Sequence, residues 1–428
     1  MSNRNLLTTE SLKTILPVLK DSIIGQLNTE TKTIEPLDHD IPMVFLTGEF
    51  PASKTYVEGE LEYISKTDKF HAYTYVKLQG NSTLALPKKN MTVQMYKDET
   101  RIRKLNKEFK SWGAHNNFVI KADYNDILRA RNVVCAKLWG KVVASRSDYD
   151  TLPEELKNSP NNGAIDGFPV KVYVNGEYYG LCNWTIPKCD WMVGMDTNNP
   201  NHALLCAEIN DNGDEALMNN PCNFREFWSG IDGDGWSIEV GTESQDLTNS
   251  FKQVSGHTKD GVLNPEFIDV KSVIDYFVFQ DIILGIDGLA KNMLMATYDM
   301  IKFYVSAYDM DSTFDMHWGG DLMGMADADI GASPYMNQYS RLLEIVHDYH
   351  MDEYKTRYIE LRNSVLSETS IISEFENYVN TYGDDVYIKD TIMYPDIPEV
   401  TTNNLEYIRE FVKKRLAYLD SCYLEVNE

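Results

Sequence analysis

What most constrains this chain of 428 residues is a change of hydrophobic period along its length. Short β-like stretches occupy 42–47, 60–65, 73–79, 90–96 and 117–121. They end in two aromatic, β-branched runs across 170–180, separated by Asn175-Gly176. Both of those residues tolerate positive φ, so the segment predicts a tight hairpin. Between the strands only 126–143 has helical spacing, and this part reads as a mixed sheet with one main helix. Later the period lengthens: 270–284 is helical, two short strands flank 298–302, and everything from Ser340 onward is helical. A strand-rich part followed by a helix-rich part predicts an α+β fold of two lobes with a cleft between them.

Composition shifts set the divisions. Residues 8–27 carry an amphipathic helical stripe, and 28–40, rich in Thr, Glu and Asp, read as a linker. Together 1–40 predict a helix that docks the body onto a partner. The lobes then span 41–190 and 191–428, and the Asn, Asp and Gly of 196–265 predict a loop-rich start to the second.

Lys and Arg number 40 against 65 Asp and Glu, a formal charge of −25. Such a field repels nucleic-acid phosphates and anionic membrane surfaces and favours a basic partner, although a dispersed acidic surface also serves solubility alone. The six cysteines form no Cys-x-x-Cys pair, which argues for reduced, mostly buried thiols over a zinc ribbon or disulfide framework. No apolar run approaches the ~18 residues of a membrane span. Residues 1–25 lack the basic and apolar blocks of an export signal, so a soluble protein is expected.

One constellation carries chemistry. Asp287 and Asn292, five positions apart, follow a buried helix, and an apolar hairpin leads from Asn292 to a strand ending in Asp309 and Asp311. Acid, amide, hairpin and acid is the order of the protein-kinase catalytic loop and its metal-binding aspartate. Phosphoryl transfer needs a carboxylate near the incoming hydroxyl and separate oxygen ligands that hold Mg²⁺ against the triphosphate. Asp287 would serve the first role, Asn292 and Asp309 the second. Taken alone, Asp-x-x-x-x-Asn is also an ordinary helix-terminating turn. Upstream, 76–96 reads as strand, small polar turn, paired lysines and strand. Backbone N–H groups about Gly80, Asn81 and Ser82 could cradle phosphates and a following lysine could bridge them, but a plain hairpin with solvent-facing lysines has the same pattern. The 232–243 run lacks ligands where a calcium loop needs them and reads as a turn. His347 and His350, with no third ligand in view, read as a solvated helix face.

Gln79-Gly-Asn-Ser followed by Pro87-Lys-Lys, Asp126 with Arg131-Asn132, the 174–181 hairpin, the Asp287…Asn292 loop, Tyr308-Asp-Met-Asp311 and the helix 411–419 occur in a telling order. In that order and over most of its length, the chain resembles the spore coat protein H (CotH) kinase family. The resemblance implies an atypical protein-kinase fold that uses ATP and Mg²⁺ or Mn²⁺ to phosphorylate Ser or Thr hydroxyls of a protein, here a basic, Ser/Thr-rich one. It implies Asp287 as the catalytic aspartate, Asn292 and Asp309 as metal ligands and Asp311 as a further ligand. It also implies Lys88 or Lys89 as the phosphate-binding lysine, with Gln79, Gly80, Asn81 and Ser82 forming the nucleotide loop. Gln79 stands where the family has Arg, Tyr308 where it has Trp, and 182–188 departs from its apolar, Glu-bearing pattern. Whether Asp123, Asp126 or another acid partners the lysine stays open. Two other readings stay open: an adaptor protein of a virion docked through its N-terminal helix, and nucleotidyl transfer, which needs the same triphosphate and metal. The expected location is accordingly the cytoplasm or a particle, a spore coat or phage virion.

Overall fold

The computed structural model describes residues 41–207, 230–231, 235–289, 291–332, 340–399 and 402–424. The expected N-terminal helix and linker lie outside the described residues, as do 208–229 and 232–234 of the expected loop-rich segment.

The first part comprises β1 (Met43–Gly48), β2 (Val57–Ile64), β3 (Lys69–Gln79), β4 (Asn90–Tyr96), the two-residue pair β5 (Lys107–Glu108) and β6 (Ala114–His115), and β7 (Asn117–Lys121). After helices α1 (Arg131–Ala144) and α2 (Glu154–Lys157) come β8 (Gly167–Val174) and β9 (Glu177–Thr185). Seven of these strands close into a barrel in the order β1-β2-β3-β4-β7-β9-β8. Along β3, Ala72, Thr74, Val76 and Leu78 are buried while their neighbours are not, so the alternation visible in the sequence fills the barrel interior. β1 seals the barrel by pairing parallel with β8, Met43 against Lys171 through Leu46 against Val174. The strand-rich part is therefore a closed barrel where the sequence suggested a mixed sheet. Asn175 and Gly176 take φ of 51° and 86°, as the hairpin requires. The Asn175 side chain also accepts from the Gly48 N–H and donates to its carbonyl, both at 3.0 Å, tying the turn to the end of β1.

The second part holds β10 (Ala203–Ala207), β11 (Trp236–Val240), α3 (Gln245–Lys259), α4 (Val270–Ile283), β12 (Met293–Thr297) and β13 (Phe303–Ala307). Its sheet is antiparallel in the order β11-β10-β12-β13. Among the described residues four helices follow: α5 (Arg341–Tyr349), α6 (Met351–Arg362), α7 (Glu368–Met393) and α8 (Leu405–Tyr423). α4 is buried from Ser272 to Ile283 and packs against β13, α1, α6 and α8. Arg415 of α8 clamps it with an ion pair to Asp281 at 2.6 Å. The α+β class holds. β10, β11 and α3 occupy a stretch read as irregular. There the helix is real because Ser244 caps it, accepting from the Leu247 N–H at 3.1 Å, and Leu247, Phe251 and Val254 face the core. Among the described residues no helix is long and apolar enough to cross a membrane.

Candidate active site

α4 ends where Leu284 turns left-handed at φ 51°, and the chain then passes through Ile286–Leu289, a single 3₁₀ turn that carries Asp287. The Gly288 carbonyl accepts from the buried Tyr276 hydroxyl at 2.7 Å, and a Cβ on Gly288 would lie 2.6 Å from the Gln280 side chain. A larger residue there would have to displace the Gln280 carboxamide. Asn292 sits at φ 62°, its N–H donating to Ala207 O at 2.9 Å and its carbonyl accepting from the Tyr308 N–H at 3.1 Å. Fixed between the ends of β10 and β13, it directs Nδ2 to Asp287 Oδ2 at 2.8 Å. Asp309, left-handed at φ 51°, follows β13, and its Oδ1 meets Lys121 Nζ at 2.8 Å. Lys121 is the last residue of β7, so this ion pair joins the barrel to the second sheet.

The turn beyond Asp309 is braced by α1. Asn132 Oδ1 accepts from the Met310 N–H at 3.2 Å, and Arg131 Nε donates to Thr313 O at 2.9 Å. Asp126 accepts from the backbone N–H groups of Ala130 and Arg131 at 2.7 and 2.8 Å and from Arg131 Nη1 at 2.5 Å, capping α1 and fixing its arginine.

Three carboxyls and three lysines set the electrostatics. Burial works to raise Asp309, but Lys121, aided by Lys291 and Lys188, outweighs it and holds the carboxyl below its ordinary range. Burial and then the Asp309 charge push Asp311 the other way, up to about 8. Asp287 is also raised, by burial first and with Asp309 adding to it, against Lys291, whose Nζ lies 3.4 Å from Asp287 Oδ2. Asp309 is thus the standing anion, while Asp311 favours a proton or a nearby cation. The oxygen donors of Asp309, Asp311 and Asn292 suit a hard divalent ion, whose charge would relieve the repulsion that raises Asp311. Among the described residues no group of three His, Cys, Asp or Glu side chains is already spaced to hold a metal ion.

A protein-family model described as CotH kinase protein matches residues 76–419. The chain belongs to the CotH kinase family. No curated protein is found to match it. The matched span begins in β3 and runs into α8, so it takes in the 79–83 loop, both braces of α1 and the acids around Asp309.

The remaining residues expected from the sequence are placed as follows. Lys88 Nζ, fully buried, donates to Leu181 O at 2.7 Å and lies 3.2 Å from Asp390 Oδ2. Asp390 also receives Arg129 Nη2 at 2.7 Å and the Leu181 N–H at 2.8 Å. The acid facing Lys88 is therefore Asp390 of α7, a residue no local pattern could pair with it. Lys89 Nζ donates to Leu84 O at 2.6 Å and to Leu86 O, closing the 3₁₀ turn Ser82–Ala85. Gly80 takes φ 100°, and Asn81 Oδ1 accepts from Lys54. Gln79 Oε1 is buried and has no hydrogen-bond partner among the described residues. This loop sits at the Lys121 end of the barrel: Asn90, paired with Gln79 across the β3–β4 ladder, accepts from the Ala122 N–H at 2.7 Å. Lys121 itself was not anticipated. Its signal is Val119-Ile-Lys121 closing a strand, the local form of the strand-borne kinase lysine.

Proposed function

We propose that this CotH family member is an ATP-dependent phosphotransferase, requiring Mg²⁺ or Mn²⁺, that acts on Ser or Thr hydroxyls of a basic protein. In this reading the barrel-bearing part, 41–190, and the helix-rich part, 191–428, are the two lobes of an atypical protein kinase. One observation carries it: Asp287, Asn292 and Asp309 converge at one end of the second sheet and meet Lys121 from the barrel. Asp287, oriented by the Asn292 carboxamide, accepts the proton of the acceptor hydroxyl. Asn292, Asp309 and Asp311 would hold the divalent ion, which supplies charge neutralisation on the triphosphate oxygens. Lys121 is placed to exchange Asp309 for phosphate oxygens, and the 79–83 loop covers them. Lys88 and Lys89 then act beneath that loop, one through Asp390 and the other through the Ser82–Ala85 turn.

The experiment is incubation with labelled ATP and Mg²⁺ or Mn²⁺ and a basic Ser-rich acceptor, followed by mass spectrometry. A gain of phosphate supports the reading, and a gain of AMP replaces it with nucleotidyl transfer. Asp309→Ala should abolish metal-dependent ATP binding in a calorimetric titration while circular dichroism stays unchanged. Undiminished affinity in that variant would move the metal site elsewhere.

A further inference from the structure

We infer that Lys54, from the connection between β1 and β2, is a triphosphate-contacting residue of this protein, an inference that rests on the nucleotide-binding reading above. Few cations remain available to an anion at the loop 79–83. Gln79, at its start, is neutral. Lys88 is enclosed by Leu181 O and by the Asp390 carboxylate that it shares with Arg129, with no exposed side-chain surface. Lys89 spends its ammonium on the carbonyls of Leu84 and Leu86. Lys121 faces Asp309.

Lys54 reaches the same loop from the connection between β1 and β2. Its connection is anchored where the Leu78 N–H donates to Ser53 O at 3.0 Å, one residue before Gln79. From there its ammonium extends to the Asn81 side-chain oxygen, at the tip of the loop. Among the described residues its hydrogen-bond partner is this neutral carboxamide, and no carboxylate forms an ion pair with it. An ammonium held by an amide keeps its full charge for an anion, whereas one held by a carboxylate does not. The loop offers more donors beside it: Gly80 at φ 100° brings its backbone within reach of the Thr83 hydroxyl, which is buried and has no partner among the described residues. Asn90 joins the base of this loop to Ala122, the residue after the strand end that presents Lys121. A triphosphate that extends from Lys121 to the tip of this loop would meet the Lys54 ammonium, and a nucleoside alone offers Lys54 nothing.

The test is calorimetric titration of the full-length protein with ATP and Mn²⁺, and separately with adenosine, for wild type, Lys54→Met and Lys54→Arg. Lys54→Met should weaken ATP binding about tenfold, the scale of one charge-assisted hydrogen bond, and leave adenosine unchanged. Lys54→Arg should stay within about twofold of wild type, and raising salt should narrow the gap between wild type and Lys54→Met. Equal ATP affinity in wild type and Lys54→Met would overturn the inference while leaving the nucleotide site intact. Equal losses for ATP and adenosine would also overturn it, making Lys54 an anchor of the loop. A wild-type protein that binds no ATP would instead overturn the nucleotide-binding reading itself, and Lys54 with it.

Discussion

Replacing Asp287 by Asn keeps the shape of the side chain and removes its charge, so it separates the chemical step from binding. In the structure Asp287 Oδ2 accepts from Asn292 Nδ2 at 2.8 Å, and the carboxamide oxygen introduced by Asp287→Asn can still accept that bond. The attraction to Lys291, 3.4 Å away, is lost. Against that loss, burial and the Asp309 charge both disfavour an ionised Asp287. The sign follows from linkage: a carboxyl whose folded pKa lies above its unfolded one takes stability away as pH rises through the folded value. Asp287→Asn should therefore melt within a few degrees of wild type or above it at pH 7, and that advantage should shrink as pH is lowered. Catalysis goes the other way. Loss of a general base costs roughly 10²- to 10⁴-fold, or ~2.7–5.5 kcal/mol of barrier at ~1.36 kcal/mol per decade. ATP and Mn²⁺ affinity should change little, because the ion is assigned to Asn292, Asp309 and Asp311. The assay pairs single-turnover phosphate transfer with calorimetric ATP binding and a melting curve. Transfer at the wild-type rate would refute the role of Asp287, and an affinity loss as large as the rate loss would make it a ligand instead of a base.

Two further outcomes test the surroundings. Asp390→Ala strips the buried carboxylate from Lys88 and Arg129 and leaves two uncompensated cations, so urea denaturation should show a loss of ~3–5 kcal/mol; a change below ~1 kcal/mol would mean that the α7 clamp does not hold the barrel. Asp311, pushed up to about 8 by burial and Asp309, must lose its proton to bind a cation, so Mn²⁺ affinity should rise from about pH 6.5 to about pH 8.5 with proton release, detected by titration in buffers of different ionisation enthalpy; a flat profile would exclude Asp311 from the ion.

Local pattern was enough to find most of the pieces. β4 and β7 run over two of the spans that read as short strands, and Asn175-Gly176 makes its hairpin, because strand preference and turn conformation are properties of a few adjacent residues. The same locality put Asp287 and Asn292 on one turn. The partners of charged groups were not legible, since an ion pair depends on which distant segments the fold brings together. Lys88 reaches Asp390 across 302 positions and Lys121 reaches Asp309 across 188, and nothing near either lysine encodes its acid. Barrel closure is of the same kind, resting on the register of β1 against β8. The sequence by itself determined the strand and helix segments, the acidic character and the spacing of the acids. Only the tertiary structure decided that Lys121 is the lysine facing Asp309, while Lys88 is enclosed by Asp390 and Lys89 is turned onto its own loop. The reason is physical: burying a charge is tolerable only where the folded chain supplies its counter-charge, and that supply is a fact of three-dimensional packing.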